Sequence, residues 1–283
     1  MARIALLTPA AHNQYVRVWG PAFDRLIAAL SGEGLEVVSM EWPRAGDAEV
    51  DAVLPLLAWG YHQDAADWLA MLDSLEARGV KALNPAAVLR WNTTKTYLAD
   101  LEAAGVPVVP TVFADHADDA VVARARAELG ADTLVVKPQV SGGSHETVKL
   151  SAGENLVGGP SGAAMIQPFL PAVSGEGEIS LLHFDGVFSH AIGKVAKAGD
   201  FRVQPQFGST IGPITPPPGA LAVAEQVLAA TPGRLTYCRV DLIRHPDETL
   251  RVMELEAIEP DLFLEHAPEA GAVFAAAVKR ALS

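Results

Sequence analysis

The spacing of hydrophobic residues along the chain changes near Asn84-Pro85. Before it, short apolar runs alternate with longer segments of helical periodicity, which predicts strands alternating with helices and hence a parallel sheet. After it, short β-rich segments dominate, and past Leu170-Pro171 they are grouped as hairpins. The pattern therefore predicts an open parallel α/β unit followed by antiparallel α+β structure.

In the first unit, the apolar runs predict strands at 4–7, 35–40 and 52–57 and helices at 21–31 and 64–78. Ligands of open parallel sheets bind beyond the carboxyl ends of the strands. The ligand edge of this unit is therefore expected near residues 8–15 and 58–62. Trp59 and Tyr61 alternate at this edge and are candidates for a substrate wall, although packing at a rim is the commoner role of such aromatics.

Past residue 85, the sequence predicts helices at 85–91, 93–104 and 117–129 and β-rich runs at 106–113 and 133–137. Two hairpins follow, one at 178–195 around Asp185-Gly186, which suits a type I′ turn, and one at 237–257. The segment 198–219 holds five prolines and four glycines without periodicity, which predicts a long loop. Loops of this length are usually functional lids, and a plain surface insertion is the alternative.

The composition excludes several classes of protein. Of the 283 residues, 50% are hydrophobic and 19% charged, which rules out wholesale disorder. A formal net charge of −13 disfavours nucleic acid or an anionic membrane as the main partner. The single cysteine, Cys238, allows neither an internal disulfide nor a cysteine metal cluster. No apolar stretch approaches the roughly 18 residues that cross a bilayer, so we expect a cytoplasmic protein.

The common nucleotide-binding and hydrolase motifs are absent from the sequence. It contains neither a P-loop nor a Gly-x-Gly-x-x-Gly fingerprint, and neither His-Glu-x-x-His nor Gly-x-Ser-x-Gly. Any nucleotide site must therefore be built from other residues.

Three carboxylates near the C-terminus are the strongest candidates for a metal site. Glu254 and Glu256 are two residues apart in a predicted strand, so both project from one face. A turn in the middle of the last hairpin places Asp241 opposite Glu254. Oxygen ligands without His or Cys select Mg²⁺ or Mn²⁺, typically beside substrate phosphates. A solvent-facing charged strand is the alternative, but an Asp in the middle of an apolar strand is disfavoured.

Two lysines are candidates for phosphate binding. Lys137 ends a predicted strand and precedes the small residues Ser141, Gly142, Gly143 and Ser144. Small residues let backbone N–H groups approach anionic oxygens, and the lysine supplies a point charge. Such a segment is more often only a turn. Lys95 begins a predicted helix, and taken alone it is most simply a solvated charge.

These candidates follow one another in a characteristic order: Lys95, Lys137 with its Gly/Ser loop, Ile166-Gln-Pro-Phe-Leu170, Glu176 and Glu178, and the three carboxylates. Over essentially the whole chain this order resembles the ATP-grasp superfamily. The stretches that begin at Leu89, Gly105 and Leu255 are similar to its RimK and glutathione-synthetase-like branch, and within it to the D-cycloserine-forming ligases. The resemblance implies an α/β and α+β fold with an N-terminal α/β substrate-side domain (1–88), a small ATP-grasp sub-domain (89–170) and a C-terminal sub-domain with the metal site (171–283).

The same resemblance implies where ATP binds. Lys95 and Lys137 match the lysines that hold the ATP phosphates, under a mobile flap at 141–145. The hinge whose backbone meets the adenine edge matches Gln167, Phe169 and Leu170. Glu178 matches the acidic residue that takes the ribose hydroxyls, and Glu176 competes for that role.

It also implies the reacting centre. Asp241, Glu254 and Glu256 match the ligands of Mg²⁺ or Mn²⁺, with Glu256 standing where many relatives have Asn. Arg202 matches the arginine that steadies the transferred phosphoryl group, and Lys194 on the preceding strand is expected to assist it.

The activity implied by the resemblance is ATP-dependent ligation. A small-molecule carboxylate is activated as an acyl phosphate with release of ADP, and an amine then displaces phosphate to form an amide or peptide bond, within one molecule or between two. A phosphotransferase or a non-catalytic nucleotide-binding regulator on the same fold stays open. The chain departs from the D-cycloserine-forming group at 57–62, where Leu-Ala-Trp-Gly-Tyr-His replaces a stretch containing Arg and Asp. The acceptor substrate therefore stays undetermined, as does homo-oligomer formation.

Overall fold

A computed structural model describes residues 2–283, apart from the side chains of Val16 and Pro205. The helices and strands of its first unit are β1 (Arg3–Thr8), α1 (Gly20–Leu30), β2 (Glu36–Glu41), β3 (Ala52–Leu54), α2 (Ala65–Ala77) and β4 (Lys81–Ala82). The four strands form a parallel sheet in the order β2-β1-β3-β4, as the alternating pattern predicted. Strand β3 ends at Leu54, earlier than predicted, because Pro55 has no N–H to donate to a neighbouring strand.

Helices cover both faces of this sheet. Ile4 and Leu6 of β1 belong to the same apolar cluster as Leu26 of α1. Ala5 and Leu7, which point to the opposite face, belong to the cluster that contains Trp68 of α2. This alternation explains why β1 is an uninterrupted apolar run, since a strand buried on both faces has no polar side.

The middle of the chain contains two short helices and a second sheet: α3 (Ala86–Thr93), α4 (Tyr97–Ala103), β5 (Val112–Ala114), α5 (Asp119–Leu129), β6 (Leu134–Pro138), β7 (Val148–Leu150) and β8 (Ala164–Pro168). The sheet is antiparallel, in the order β5-β8-β6-β7. The predicted β-rich run at 106–113 is mostly irregular, with one isolated bridge between Val108 and Val252. Pro107 and Pro110 explain this difference because neither can donate a ladder hydrogen bond.

The last part of the chain is a five-stranded antiparallel sheet with two helices: β9 (Glu178–Phe184), β10 (Val187–Val195), β11 (Thr210–Pro213), α6 (Ala220–Ala230), β12 (Tyr237–Arg244), β13 (Leu250–Glu256) and α7 (Ala270–Leu282). The strand order is β11-β10-β9-β12-β13. Both predicted hairpins are confirmed, and Asp185 and Gly186 have the positive φ angles, 55° and 78°, of a type I′ turn. The expectation of an unstructured loop over 198–219 is wrong in part, because β11 lies within it and pairs with β10 as the edge strand of the sheet.

Helices α3 and α4 pack on this last sheet, so that Val88 and Leu98 share an apolar cluster with Leu181 and Val240. Polar side chains fix the same contact: Asn92 Nδ2 donates to the Leu255 carbonyl at 2.8 Å, and the Leu255 N–H donates to Tyr97 Oη at 2.8 Å. The turn between α3 and α4 is thereby held against β13. Over residues 2–283, the helices are all too short or too polar to cross a membrane.

Candidate active site

The three carboxylates predicted from the sequence meet on the face of the last sheet. Asp241 of β12 pairs directly with Glu254 of β13. One ligand atom from each of Asp241, Glu254 and Glu256 lies within 4.8 Å of the others. Burial, together with the charges of Glu254 and Asp241, raises the pKa of Glu256 to about 7, although Arg239 opposes the shift. Like charges this close require cations, so the arrangement is a candidate centre for a hard divalent ion.

Two buried cations, Arg239 and Lys194, are arranged around Asp241. The guanidinium of Arg239 donates to both carboxylate oxygens of Asp241, Nε to Oδ1 and Nη2 to Oδ2, each at 3.0 Å, and also pairs with Glu256. Lys194 Nζ lies 3.2 Å from Asp241 Oδ2, and Ser180 Oγ donates to Oδ1 at 2.5 Å. Burial alone would raise the pKa of Asp241, but Arg239 and Lys194 outweigh it and hold that pKa well below its usual range. Asp241 is therefore ionised and fixed in position.

Lys95 reaches the same cluster from the turn between α3 and α4, where its ammonium pairs with Glu254. Burial would lower the pKa of Lys95, but Glu254 outweighs burial and raises it. The sequence offered no local sign of this placement, because the contact depends on α3 and α4 packing on β13. Lys95 is thus a largely buried cation facing the site, with its side chain 12% exposed, and not a solvated surface charge.

Lys137 differs from the other cations of the site in its surroundings. It ends β6, and its Nζ lies 3.8 Å from Met253 Sδ, a weak acceptor. Within residues 2–283, no carboxylate forms an ion pair with it. Burial, followed by the nearby charge of Lys95, lowers the pKa of Lys137 to about 8 despite the opposing charge of Glu254. An ammonium in this position is poised for an anionic ligand.

The predicted hinge residues line the same cavity. Gln167 is buried, and its Nε2 donates to Thr111 Oγ1 at 2.9 Å. The Phe169 N–H bonds to the Thr133 carbonyl at 2.8 Å, and Lys149 Nζ lies 3.8 Å from the centre of the Phe169 ring. Leu170 is buried beside the cavity. These contacts fix Gln167 and Phe169 beside the cavity, where Phe169 and Leu170 contribute apolar lining.

The two candidates for the ribose acid are placed differently. Glu178 lines the cavity, is buried, and pairs with Lys194. Burial raises the pKa of Glu178, although Lys194 opposes the shift. Glu176 lies outside the lining residues and forms a double hydrogen bond with Arg244, at 2.6 and 2.8 Å. The structure thus brings Glu178, and not Glu176, into contact with the rest of the site.

The flap at 141–145 lines the cavity and contacts the segment 198–219. Ser144 Oγ donates to Gln204 Oε1 at 2.9 Å, which connects the flap to the segment 198–219. Arg202 also lines the cavity, but its guanidinium is held by Asp200, with Nη2 2.7 Å from Oδ2, and lies 3.6 Å from the centre of the Phe207 ring. Arg202 is therefore held beside the cavity by Asp200 and Phe207 of its own loop.

The site residues predicted from the sequence, except Glu176, line one cavity between the second and third sheets: Lys95, Lys137, Ser141, Gly142, Gly143, Ser144, Gln167, Phe169, Leu170, Glu178, Lys194, Arg202, Asp241, Glu254 and Glu256. Sequence reasoning missed Arg239 and Glu259, which line the same cavity. Arg239 had a detectable signal, since it lies two residues before Asp241 on one strand and so shares its face. Glu259 follows the end of β13, where no hydrophobic periodicity indicates which way its side chain points.

The chain is similar in sequence to proteins of cycloserine biosynthesis. The family model described as the N-terminal domain of D-cycloserine synthetase DcsG matches residues 4–84. The cycloserine biosynthesis protein DcsG of Streptomyces lavendulae is 30% identical to the chain over 280 residues, and the match covers 86% of each protein.

Solved structures show the same fold. The crystal structure of D-cycloserine synthetase DcsG superposes with a TM-score of 0.82 and 27% identity, covering 100% of both chains. D-alanine–D-alanine ligase from Bacillus anthracis gives a TM-score of 0.74 at 18% identity, with 100% of this chain and 97% of that one covered. The ATP-grasp ligase PsnB, solved with a phosphomimetic variant of its minimal precursor, Mg and ADP, gives 0.66 at 18% identity, with 99% and 98% covered.

Proposed function

The chain belongs to the DcsG family of ATP-grasp ligases, and on that premise we propose how its cavity carries out ATP-dependent joining of a carboxylate to an amine. The cavity between the second and third sheets binds ATP. The observation that carries this proposal is the convergence of three carboxylates and an ammonium without an ion-pair partner, Lys137, within one cavity. The carboxylates can bind a divalent cation, and the lysine beside them can bind an anion. A metal-bound polyphosphate supplies both.

The donor set fits Mg²⁺. Asp241, Glu254 and Glu256 supply only oxygen ligands, and Mg²⁺ prefers such ligands together with substrate phosphates. A bound Mg²⁺ neutralises charge on the phosphates during transfer. Arg239 and Lys194 keep the Asp241 carboxylate ionised and fix its orientation for the metal.

The remaining residues position ATP. Lys137 and Lys95 hold the phosphates, with the flap residues Ser141, Gly142, Gly143 and Ser144 closing over them. The wall formed by Gln167, Phe169 and Leu170 receives the adenine. Because the Phe169 N–H already bonds to Thr133, the adenine edge is left to the backbone of Leu170. Glu178 binds a ribose hydroxyl in this proposal, for which it must exchange its pairing with Lys194.

Catalysis in this site is positioning and electrostatics, with no covalent enzyme intermediate. The γ-phosphoryl group passes to the substrate carboxylate, and the amine then attacks the acyl carbon and displaces phosphate. Arg202 is proposed to leave Asp200 and stabilise the charge that develops on the transferred group. Flap and loop already share the bond between Ser144 and Gln204, so they can close together and exclude water from the acyl phosphate.

We expect ADP release to require both a divalent metal and a carboxylate substrate. The test mixes the protein with ATP and a panel of amino acids, ureido amino acids and dipeptides, in Mg²⁺, Mn²⁺, Zn²⁺ or excess EDTA. Turnover with Mg²⁺ or Mn²⁺ and none with EDTA is expected, because the ligand set is all oxygen. Full turnover in metal-free buffer would contradict the metal assignment.

The products of the same assay separate the ligase from its alternatives. Free phosphate formed together with ADP supports ligation. A stable phosphorylated product without free phosphate would identify a phosphotransferase. ATP binding without ADP formation under every condition would identify a nucleotide-binding regulator and overturn the proposed chemistry.

A further inference from the structure

The imidazole of His62 is buried without a hydrogen-bond partner. It lies in the short 3₁₀ helix Tyr61–Gln63 and is only 8% exposed, and within residues 2–283 neither ring nitrogen has a hydrogen-bond partner. Burial, followed by the charges of His145 and Lys95, lowers the pKa of His62 to about 4. The ring is therefore neutral near pH 7 and offers one lone pair as an acceptor. A buried polar group without a partner is costly, and a ligand that donates a hydrogen bond to the ring would remove that cost.

Glu259 is a second group that lacks a partner. It lines the cavity, but its carboxylate is not among the three whose ligand atoms converge within 4.8 Å. No lysine, arginine or histidine in the part of the chain that the structure describes forms an ion pair with it. Burial, followed by the charge of Glu256, raises the pKa of Glu259 well above its usual value. A cation placed beside Glu259 would remove this penalty.

The two groups face one place under the flap. A methyl group added to Gly142 would lie 3.2 Å from His62 Nδ1 and 3.5 Å from Glu259 Oε1. His62 comes from the N-terminal unit and Glu259 from the segment after β13, so the place lies where the two units and the flap meet. It borders the metal-ligating carboxylates, since Glu256 is only three residues from Glu259.

We propose that Glu259 and His62 form a subsite for the primary ammonium group of an amino-acid-type substrate. The inference rests on the proposed function, because the ammonium group belongs to a substrate bound in the same cavity. Glu259 supplies the negative charge and His62 the neutral acceptor, and together they match a cation with several N–H donors. A second divalent ion fits this place less well, since a hard ion prefers carboxylate ligands to a neutral imidazole.

The subsite predicts a preference for free amines that depends on Glu259. Binding of amino acids and of their N-acetyl derivatives is measured by calorimetry, with the protein first saturated with Mg²⁺ and AMPPNP. At least one free amino acid is expected to bind about tenfold or more tightly than its acetylated form, since acetylation removes the charge and two donors. Glu259→Gln and His62→Phe are each expected to abolish that preference, and His62→Gln, which keeps an acceptor, to restore part of it.

Controls separate this inference from the proposed function and from misfolding. Glu128→Gln, on the exposed side of α5, is expected to leave the preference unchanged. AMPPNP affinity and melting temperature should be near wild type in Glu259→Gln and His62→Phe, which shows that the fold and the ATP site persist. AMPPNP binding with no amine preference in the wild type, or an unchanged preference in both variants, would overturn the subsite alone. Failure of the wild type to bind AMPPNP would overturn the proposed function and the subsite with it.

Discussion

Arg239→Met is expected to lower the free energy of unfolding by about 3–5 kcal/mol, the usual cost of removing one partner from a buried ion pair. Arg239 is 6% exposed, and its guanidinium binds Asp241 and Glu256 together. Without it, the buried Asp241 and the partly exposed Glu256 face each other with too little compensating charge. The measurement is urea denaturation followed by circular dichroism, with and without Mg²⁺. Mg²⁺ should restore part of the lost stability because it binds the freed carboxylates in the folded state.

The matched control is Arg280→Met. Arg280 Nε lies 2.8 Å from Asp185 Oδ2, a contact as short as those of Arg239, but its side chain is 55% exposed. Exposed pairs contribute about 0–1 kcal/mol, so this variant should unfold close to wild type. A loss below about 1 kcal/mol in Arg239→Met would show that the cluster does not depend on Arg239 for its charge balance.

Lys137→Met is expected to weaken ATP binding by about ten- to a hundredfold, which corresponds to losing a charged hydrogen-bond partner worth about 1.5–3 kcal/mol. Methionine keeps most of the side-chain length and removes the charge. The free energy of unfolding should not fall, because burial already opposes the ammonium and no carboxylate pairs with it. The measurement is calorimetric titration of AMPPNP in Mg²⁺, alongside denaturation of the same sample.

Lys279→Met supplies the comparison for this variant. Lys279 lies on α7, pairs with Glu33, and is 57% exposed. It should bind AMPPNP as the wild type does. Equal affinities in Lys137→Met and wild type would place the phosphates elsewhere in the cavity.

The parts of the fold that the sequence predicted well are those encoded by local signals. The hairpin around Asp185-Gly186 has the predicted bounds because the dipeptide tolerates positive φ and the flanking runs are apolar. The predicted pairing of Asp241 with Glu254 is confirmed, but the turn alone does not set it. Next to the turn Arg244 pairs with Leu250, and a β-bulge between Asp241 and Leu242 shifts the register by one residue. The strand β11 was missed because its pairing with β10 is a long-range contact within a segment rich in Pro and Gly.

The sequence predicted those site residues whose positions are fixed by strand register or by the order of motifs shared with the family. It did not predict contacts that depend on tertiary packing. Lys95 has an ordinary helix-start sequence, and only the packing of α3 and α4 on β13 brings it to Glu254. Glu178 was assigned to ribose from its position in the chain, but pairing of β9 with β10 sets it opposite Lys194. His62 and Glu259 are 197 residues apart in the sequence, so nothing local indicates that they face one place.

Activation of the substrate carboxylate by ATP can be tested by tracing one oxygen atom from that carboxylate to the released phosphate. The substrate from the panel that gives the fastest ADP release is prepared with ¹⁸O in its carboxylate, and the phosphate released in unlabelled water with Mg²⁺ is examined by mass spectrometry. If the carboxylate accepts the γ-phosphoryl group and the amine then displaces phosphate, the bridging oxygen leaves with phosphorus. Each phosphate is therefore predicted to carry one ¹⁸O atom. Unlabelled phosphate, formed at the same rate as ADP, would show that ATP is hydrolysed without activating the carboxylate and would contradict the account.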